Sequence, residues 1–108
     1  MTPSTLTQTP TSQEIFEITE VMCSTGVVFK PVQEAIIGHV ARDVTLADKL
    51  LEIIGRHMAS WNRKRWGELN TWHQMTAHAW FALQIEKRLI EFRNQVRVAK
   101  EKALAKAA

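Results

Sequence analysis

The sequence predicts a small all-α domain of four helices, with a long C-terminal helix and a disordered N-terminal tail. Three observations predict this class. Apolar residues recur at helical spacing in four segments, helix-start signals precede these segments, and no convincing pair of strands is present. The chain has 108 residues, of which 45% are hydrophobic, and this fits one globular domain.

The N-terminal boundary is predicted between a tail, residues 1–12, and a single helical domain, residues 13–108. The tail is rich in Thr, Ser and Pro, and it offers little apolar surface to offset the entropy cost of ordering. Thr11 and Glu14 fit a capping box, in which each side chain accepts a hydrogen bond from the backbone N–H of the other residue. A first helix should therefore run from this point to about Ser24.

Two more helices are predicted in the middle of the chain. Gly26 ends the first helix, and a second helix at about 31–42 begins with a proline, which needs no hydrogen bond at that position. Thr45 begins a third helix, which carries a broad apolar face and extends to Gly67. Gly55 lies inside this helix at a cost of roughly 1 kcal/mol relative to Ala, so we expect another helix to cross closely there.

The fourth helix, at about 71–105, carries two apolar stripes. The first, which we call the seam, is a heptad pattern sustained for four repeats. Its members are Met75, His78, Ala82, Ile85, Leu89, Phe92, Val96, Ala99 and Ala103. The second stripe ends earlier and consists of Trp72, Ala79, Leu83 and Ile90. We therefore expect the first half of the helix to bury two faces, and the second half to project with its seam free for a partner.

The charge of the chain is divided unevenly. Residues 1–60 carry 4 Lys/Arg and 7 Asp/Glu, whereas residues 61–108 carry 10 Lys/Arg and 4 Asp/Glu. A basic C-terminal half suits nucleic acid, an acidic protein or the acidic half of a second copy. Together with the seam, it predicts a homodimer or a protein-partner contact. The seam residues predicted at that interface are Ile85, Leu89, Phe92 and Val96.

One segment, WNRKRWGELNTWHQMTAHAW at residues 61–80, holds all 4 Trp of the chain. Trp and Arg are the residue types that dominate binding energy at protein interfaces. We therefore predict Trp61, Trp72 and Trp80 as interface residues, with a basic rim formed by Arg63, Lys64 and Arg65. Basic residues between aromatic ones also hold phosphates and stack bases, so nucleic-acid binding by the C-terminal half is the alternative function.

The motifs of several kinds of chemistry are missing from the sequence. Cys23 is the only cysteine, which excludes an internal disulfide and fits a reducing cytoplasm. His73 and His78 are five residues apart, or about 140° around a helix, so they cannot hold one metal ion together. No phosphate-binding loop or activated nucleophile is recognisable. We expect no enzyme activity, no catalytic or metal-binding residues and no cofactor.

Targeting and membrane signals are also missing. The apolar runs are far shorter than the about 20 residues that span a bilayer, and no secretory signal begins the chain. We therefore expect a cytoplasmic protein without a membrane partner.

Two segments, WNRKRWGELNTWHQMTAHAW and IEKRLIEFRNQV, together with the overall length, resemble the bacterial quorum-sensing antiactivators. The resemblance is to the kind that captures a LuxR-type transcriptional regulator and disrupts its dimer. It implies a homodimer in the free state and the ligand-binding domain of such a regulator as the target. The expected function is a small regulatory protein-interaction module that sequesters a transcriptional regulator and blocks its dimerisation.

Overall fold

The computed structural model describes residues 10–66 and 72–107, with side chains described for 10–64 and 80–106. These residues form four helices and no strand, which confirms the predicted all-α class with its long C-terminal helix. The helices are α1 (Ser12–Thr25), α2 (Lys30–Arg42), α3 (Leu46–Trp66) and α4 (Trp72–Ala107). Most of the predicted tail, residues 1–9, lies outside the described residues.

The start of α1 has the predicted capping box. The Thr11 hydroxyl accepts a hydrogen bond from the Glu14 backbone N–H at 3.2 Å, and the Glu14 carboxylate accepts one from the Thr11 N–H at 2.8 Å. These two bonds satisfy N–H groups that have no partner inside the helix. The described helical structure therefore begins at a defined turn, with Ser12 as its first helical residue.

The end of α1 depends on Gly26. This residue has φ 78°, a conformation that costs other residues roughly 1–2 kcal/mol, and its N–H donates to the Met22 carbonyl at 3.0 Å. A Cβ at this position would lie 2.5 Å from Cδ1 of Ile85 in α4. The glycine thus allows both the turn and the close approach of the chain to α4.

The prediction of a close helix crossing at Gly55 is wrong. Among the described residues, a Cβ placed at Gly55 would meet no heavy atom within 4 Å outside its own local backbone. The packing of α3 therefore does not require a glycine at this position.

The helices pack in the spatial order α1, α3, α4, α2. Helix α3 lies along α4, α1 packs against α3, and α2 packs against α4. Two polar contacts show that α3 and α4 are antiparallel. Lys100, in the second half of α4, donates a hydrogen bond at 2.7 Å to Asp48 near the start of α3. Asn62, near the end of α3, donates one at 3.1 Å to Glu86 in the first half of α4.

A charged contact joins α1 to α3. The Glu20 carboxylate accepts a hydrogen bond from Arg56 Nη2 at 2.6 Å, and its other oxygen lies 3.3 Å from Nε2 of His57. The hydrogen bond from Arg56, assisted by His57, lowers the pKa of Glu20 below its usual value. The contact is largely exposed to solvent, so it orients α1 on α3 more than it stabilises the fold.

The seam of α4 packs inside the chain, so the prediction that it projects freely is wrong. Its members from Ala82 to Ala99 have between 0% and 7% of their surface exposed, and most join one core cluster with residues of α1, α2 and α3. The buried members include Ile85, Leu89, Phe92 and Val96, which were predicted at a partner interface. They are unavailable for that role in this fold, because α3 runs antiparallel along α4 and α2 covers its second half.

Within the described residues, no helix is both long enough and apolar enough to cross a membrane.

Candidate docking face on the C-terminal helix

The side of α4 away from the seam, which we call its outward face, carries the apolar residues Trp80, Leu83, Ile90 and Val98. At 100° per residue these positions fall within a sector of about 80°. Phe81 and Leu104 of the same helix are also exposed, but they lie outside this face. Trp80 is 63% exposed, Val98 is 47% exposed, and Leu83 and Ile90 are half-buried. These apolar residues are partly uncovered in the described part of the chain, and Lys87 and Asn94 lie between them on the same side of the helix.

The second stripe is therefore less buried than predicted. Leu83 and Ile90 were expected to be buried in the body of the domain, yet both keep part of their surface in solvent. The reason is that α3 and α2 both flank the seam, so none of the described helices lies over the opposite side of α4. In its described side chains, α4 buries one stripe from Ala82 to Ala99 and leaves the other partly open.

A groove runs beside the outward face, between α2 and the second half of α4. We call it the α2–α4 groove, and its volume is about 630 Å³. Its apolar lining comes from both helices and includes three alanines, whose small side chains leave room above the backbone. These apolar residues are Ile37, Ala41, Ile90, Val98, Ala99 and Ala103.

The rim of the α2–α4 groove is basic. Lys87, Lys102 and Lys106 line it, and Glu91 is the one carboxylate among its lining residues. None of the three lysines forms an ion pair within the described part of the chain. The groove thus combines an apolar floor with ammonium groups that are free to meet a partner's charge.

One wall of the groove is held by a hydrogen bond between two glutamines. The Gln33 amide, on α2, donates to the amide oxygen of Gln95 on α4, and Gln33 is buried with 6% of its surface exposed. Breaking this contact would leave the buried amide of Gln33 without its partner, which is costly. The bond therefore fixes how far α2 stands from α4.

Trp61, a predicted interface residue, makes most of its contacts within the chain. Its indole N–H donates to the Cys23 carbonyl oxygen at 2.8 Å, and its half-buried ring packs against the core. Nζ of Lys64 lies 4.4 Å from the ring centroid, a favourable cation–π distance. Trp61 therefore joins the end of α3 to the end of α1 and offers little open ring surface.

The other predicted residues of this segment divide into two groups. Trp80, Arg63 and Lys64 are exposed, as an interface or a basic rim requires. Trp72 and Arg65 lie in α4 and α3, and their side chains are outside the described residues.

The only thiol in the sequence is shielded from solvent. Cys23 has 0% of its surface exposed, and burial, together with the charge of Glu20, raises the pKa of the thiol to about 12. It is therefore protonated at neutral pH. Among the described residues, no group of three or more His, Cys, Asp or Glu side chains is arranged to hold a metal ion.

Comparison with known proteins yields no matching family model, no matching curated protein and no matching solved structure. The resemblance to quorum-sensing antiactivators therefore stays a prediction from the sequence.

The groove itself was missed at the level of the sequence. Ile37 follows the buried Ile36 of α2, and Val98 lies next to Ala99, outside the seam. Large aliphatic residues beside a complete stripe were the available signal, since both residues line the groove.

Proposed function

We propose that this chain is a small regulatory protein-interaction module, which docks a partner on the outward face of α4 and the adjoining α2–α4 groove. One observation carries the proposal: Trp80 and Val98 stay 63% and 47% exposed, although the seam of the same helix is buried from Ala82 to Ala99. Val98 also lines the apolar floor of the groove, and an exposed apolar patch on a small domain is typical of an interaction site. Trp is also among the strongest anchor residues at interfaces.

The regulatory form of this proposal is an antiactivator, which sequesters a transcriptional regulator and blocks its dimerisation. Its support is the resemblance of segment 61–80 to antiactivators of LuxR-type regulators. The groove adds a physical reason, because helix-in-groove docking is a common way to capture an amphipathic helix. Interfaces of stable dimers resemble a protein core cut in half, so a surface that covers one half competes with the second subunit.

The homodimer stays part of the proposal, but its interface must change. The seam, from which the homodimer was predicted, is packed inside one chain. We propose that a second copy covers the outward face of α4, with Trp80 and Val98, in the free protein, and that the partner displaces this copy when it docks.

The alternative function is nucleic-acid binding by the basic C-terminal half. It is favoured by Arg63 and Lys64, which are exposed near the end of α3. Base stacking on Trp61 adds little to this alternative, because Lys64 lies over its ring and its N–H is bonded inside the chain.

Capture from the native cytosol tests both functions. The tagged full-length protein is cross-linked to its neighbours with and without nuclease treatment, and captured proteins are identified by mass spectrometry. We expect a transcriptional regulator in both samples. Mixing the two purified proteins should then convert the regulator dimer into a mixed complex and remove its binding to operator DNA.

Two outcomes would contradict the antiactivator. Capture that disappears after nuclease treatment would favour the nucleic-acid alternative, whose affinity should also fall steeply with salt. A regulator that binds but stays dimeric and keeps its operator would leave an interaction module of another kind. As a control, changing Arg63, Lys64 and Arg65 to Ser should abolish nucleic-acid binding but leave capture of the regulator mostly intact.

A further inference from the structure

We infer that the α2–α4 groove takes an acidic amphipathic helix, with apolar side chains on the groove floor and carboxylates at both of its ends. The inference rests on the proposed function, because it names the chemistry of the partner that the docking face selects.

The floor determines the apolar part of the partner. Ile37 from α2 and Ile90 and Val98 from α4 form a strip, and Ala41 and Ala103 keep space open above the two backbones. The volume of about 630 Å³ lies within the range of about 300–1,000 Å³ for pockets that enclose a ligand. It therefore admits several side chains from one face of a helix.

The length of the groove determines how the partner's charges are spaced. Lys87 and Lys106 mark its limits along α4, and at 1.5 Å per residue they are separated by about 28 Å. A helix that lies along the groove covers this distance in about five turns. Carboxylates in its first and last turns would then lie near lysines, whereas carboxylates on its central apolar face would be buried.

The charge of the rim favours an acidic partner over a basic one. Lys87, Lys102 and Lys106 have no ion-pair partner in the described part of the chain, and Glu91 is the single opposing charge in the lining. Each exposed charge pair adds little affinity, so the apolar floor supplies most of the binding. The lysines instead discriminate between partners, since like charges placed together oppose docking.

The groove is formed before a partner arrives. The bond between Gln33 and Gln95 holds α2 against α4, and both helices contribute residues to the core on the other side. A preformed site loses less conformational freedom on binding, which favours measurable affinity for a short peptide.

The inference is tested with the full-length protein and two fluorescein-labelled peptides of about 20 residues, long enough to cover the groove as a helix. Both peptides carry leucines one turn apart on one face; one has Glu in its first and last turns, and the other has Lys there. By fluorescence anisotropy we expect the acidic peptide to bind at least about tenfold more tightly than the basic one. Equal binding of the two peptides would overturn the inference.

A matched pair of variants locates the binding. Val98→Asp places a charge in the groove, and Val21→Asp places the same charge on the outer side of α1, where Val21 is 61% exposed. We expect Val98→Asp to lower the affinity for the acidic peptide at least about tenfold and Val21→Asp to leave this affinity unchanged. Equal effects of the two variants would show that the peptide binds elsewhere.

Charge reversal tests the rim. Changing Lys87, Lys102 and Lys106 together to Glu should reverse the preference, so that the basic peptide binds more tightly. Lys49→Glu, on α3 and outside the groove, should leave the preference as it is. An unchanged preference in the triple variant would overturn the role of the lysines.

Two further outcomes separate this inference from the proposed function. If Val98→Asp still captures the regulator with full affinity, the groove assignment fails while the antiactivator stands. If the acidic peptide binds as described but no regulator is captured, the antiactivator fails while the groove chemistry stands. A third outcome would overturn the inference by making a second copy the occupant of the groove. In that outcome the protein sediments at twice 12.4 kDa, the Val98→Asp variant is monomeric, and neither peptide binds.

Discussion

Both sides of α4 carry apolar residues, but the two sides differ in how far the rest of the chain covers them. On the seam, Leu89 and Phe92 are wholly buried, whereas on the outward face Trp80 and Val98 keep about half of their surface or more in solvent. The heptad spacing of the seam is the stronger pattern, and it is the pattern that the chain uses for its own core. The weaker and less regular side stays partly exposed, and it is the side on which we propose that a partner docks.

This difference shows what periodicity in a sequence does and does not specify. A sustained apolar stripe indicates that one face of a helix is covered, but a coiled-coil partner and a helix of the same chain produce the same stripe. Here α3 is long enough to cover the seam as far as Lys100, which its start meets through Asp48. A partner surface is therefore better sought among apolar residues that the main stripe does not include.

The largest effect is expected from placing charges on the seam. The double variant Leu89→Asp/Phe92→Asp buries two unpaired carboxylates, each at a cost of several kcal/mol, in a fold whose total stability is about 5–15 kcal/mol. We expect loss of the cooperative thermal transition by circular dichroism. A variant that stays helical and melts cooperatively would show that the seam faces outward and would remove the distinction between the two faces.

A smaller effect is expected where the chain touches the seam from α1. Gly26→Ala forces a side chain into a positive-φ position and against Ile85, which should lower the free energy of unfolding by about 2 kcal/mol. Urea denaturation measures this change. A variant as stable as the parent protein would show that the space between Gly26 and Ile85 admits a methyl group, and that the seam is less tightly packed there.

A second glycine provides the opposite case. Gly55→Ala, on α3, meets no neighbour within 4 Å, so it should raise the free energy of unfolding by about 0.5–1 kcal/mol through helix propensity alone. The same urea experiment measures it. A destabilised Gly55→Ala would reveal a close contact and restore the helix crossing that the sequence suggested.

The smallest effect on stability is expected on the outward face. Val98→Asp and Trp80→Ala should each change the free energy of unfolding by no more than about 0.5 kcal/mol, because exposed positions contribute little to the core. Thermal unfolding followed by circular dichroism measures both. A loss comparable to that of Gly26→Ala would mean that the outward face belongs to the core.

The local structure was predictable because its signals are local. Thr11 and Glu14 mark the start of a helix within four residues, and Gly26 marks its end. The order and approximate limits of the helices can therefore be predicted from short segments. The site was not predictable in the same way. Phe92 is buried and Val98 is exposed because of the way in which helices distant in the sequence pack together. That packing cannot be predicted from any short segment.

The spatial order α1, α3, α4, α2 also has a consequence for how the chain reaches its fold. Helices α3 and α4 are neighbours in the sequence and pack antiparallel, so their pairing closes only a short loop. Helices α1 and α2 add to opposite sides of that hairpin, and the link after Gly26 must pass Ile85 to connect them. Because α3 and α4 follow each other in the sequence, we expect their pairing to form before α2 docks and completes the α2–α4 groove.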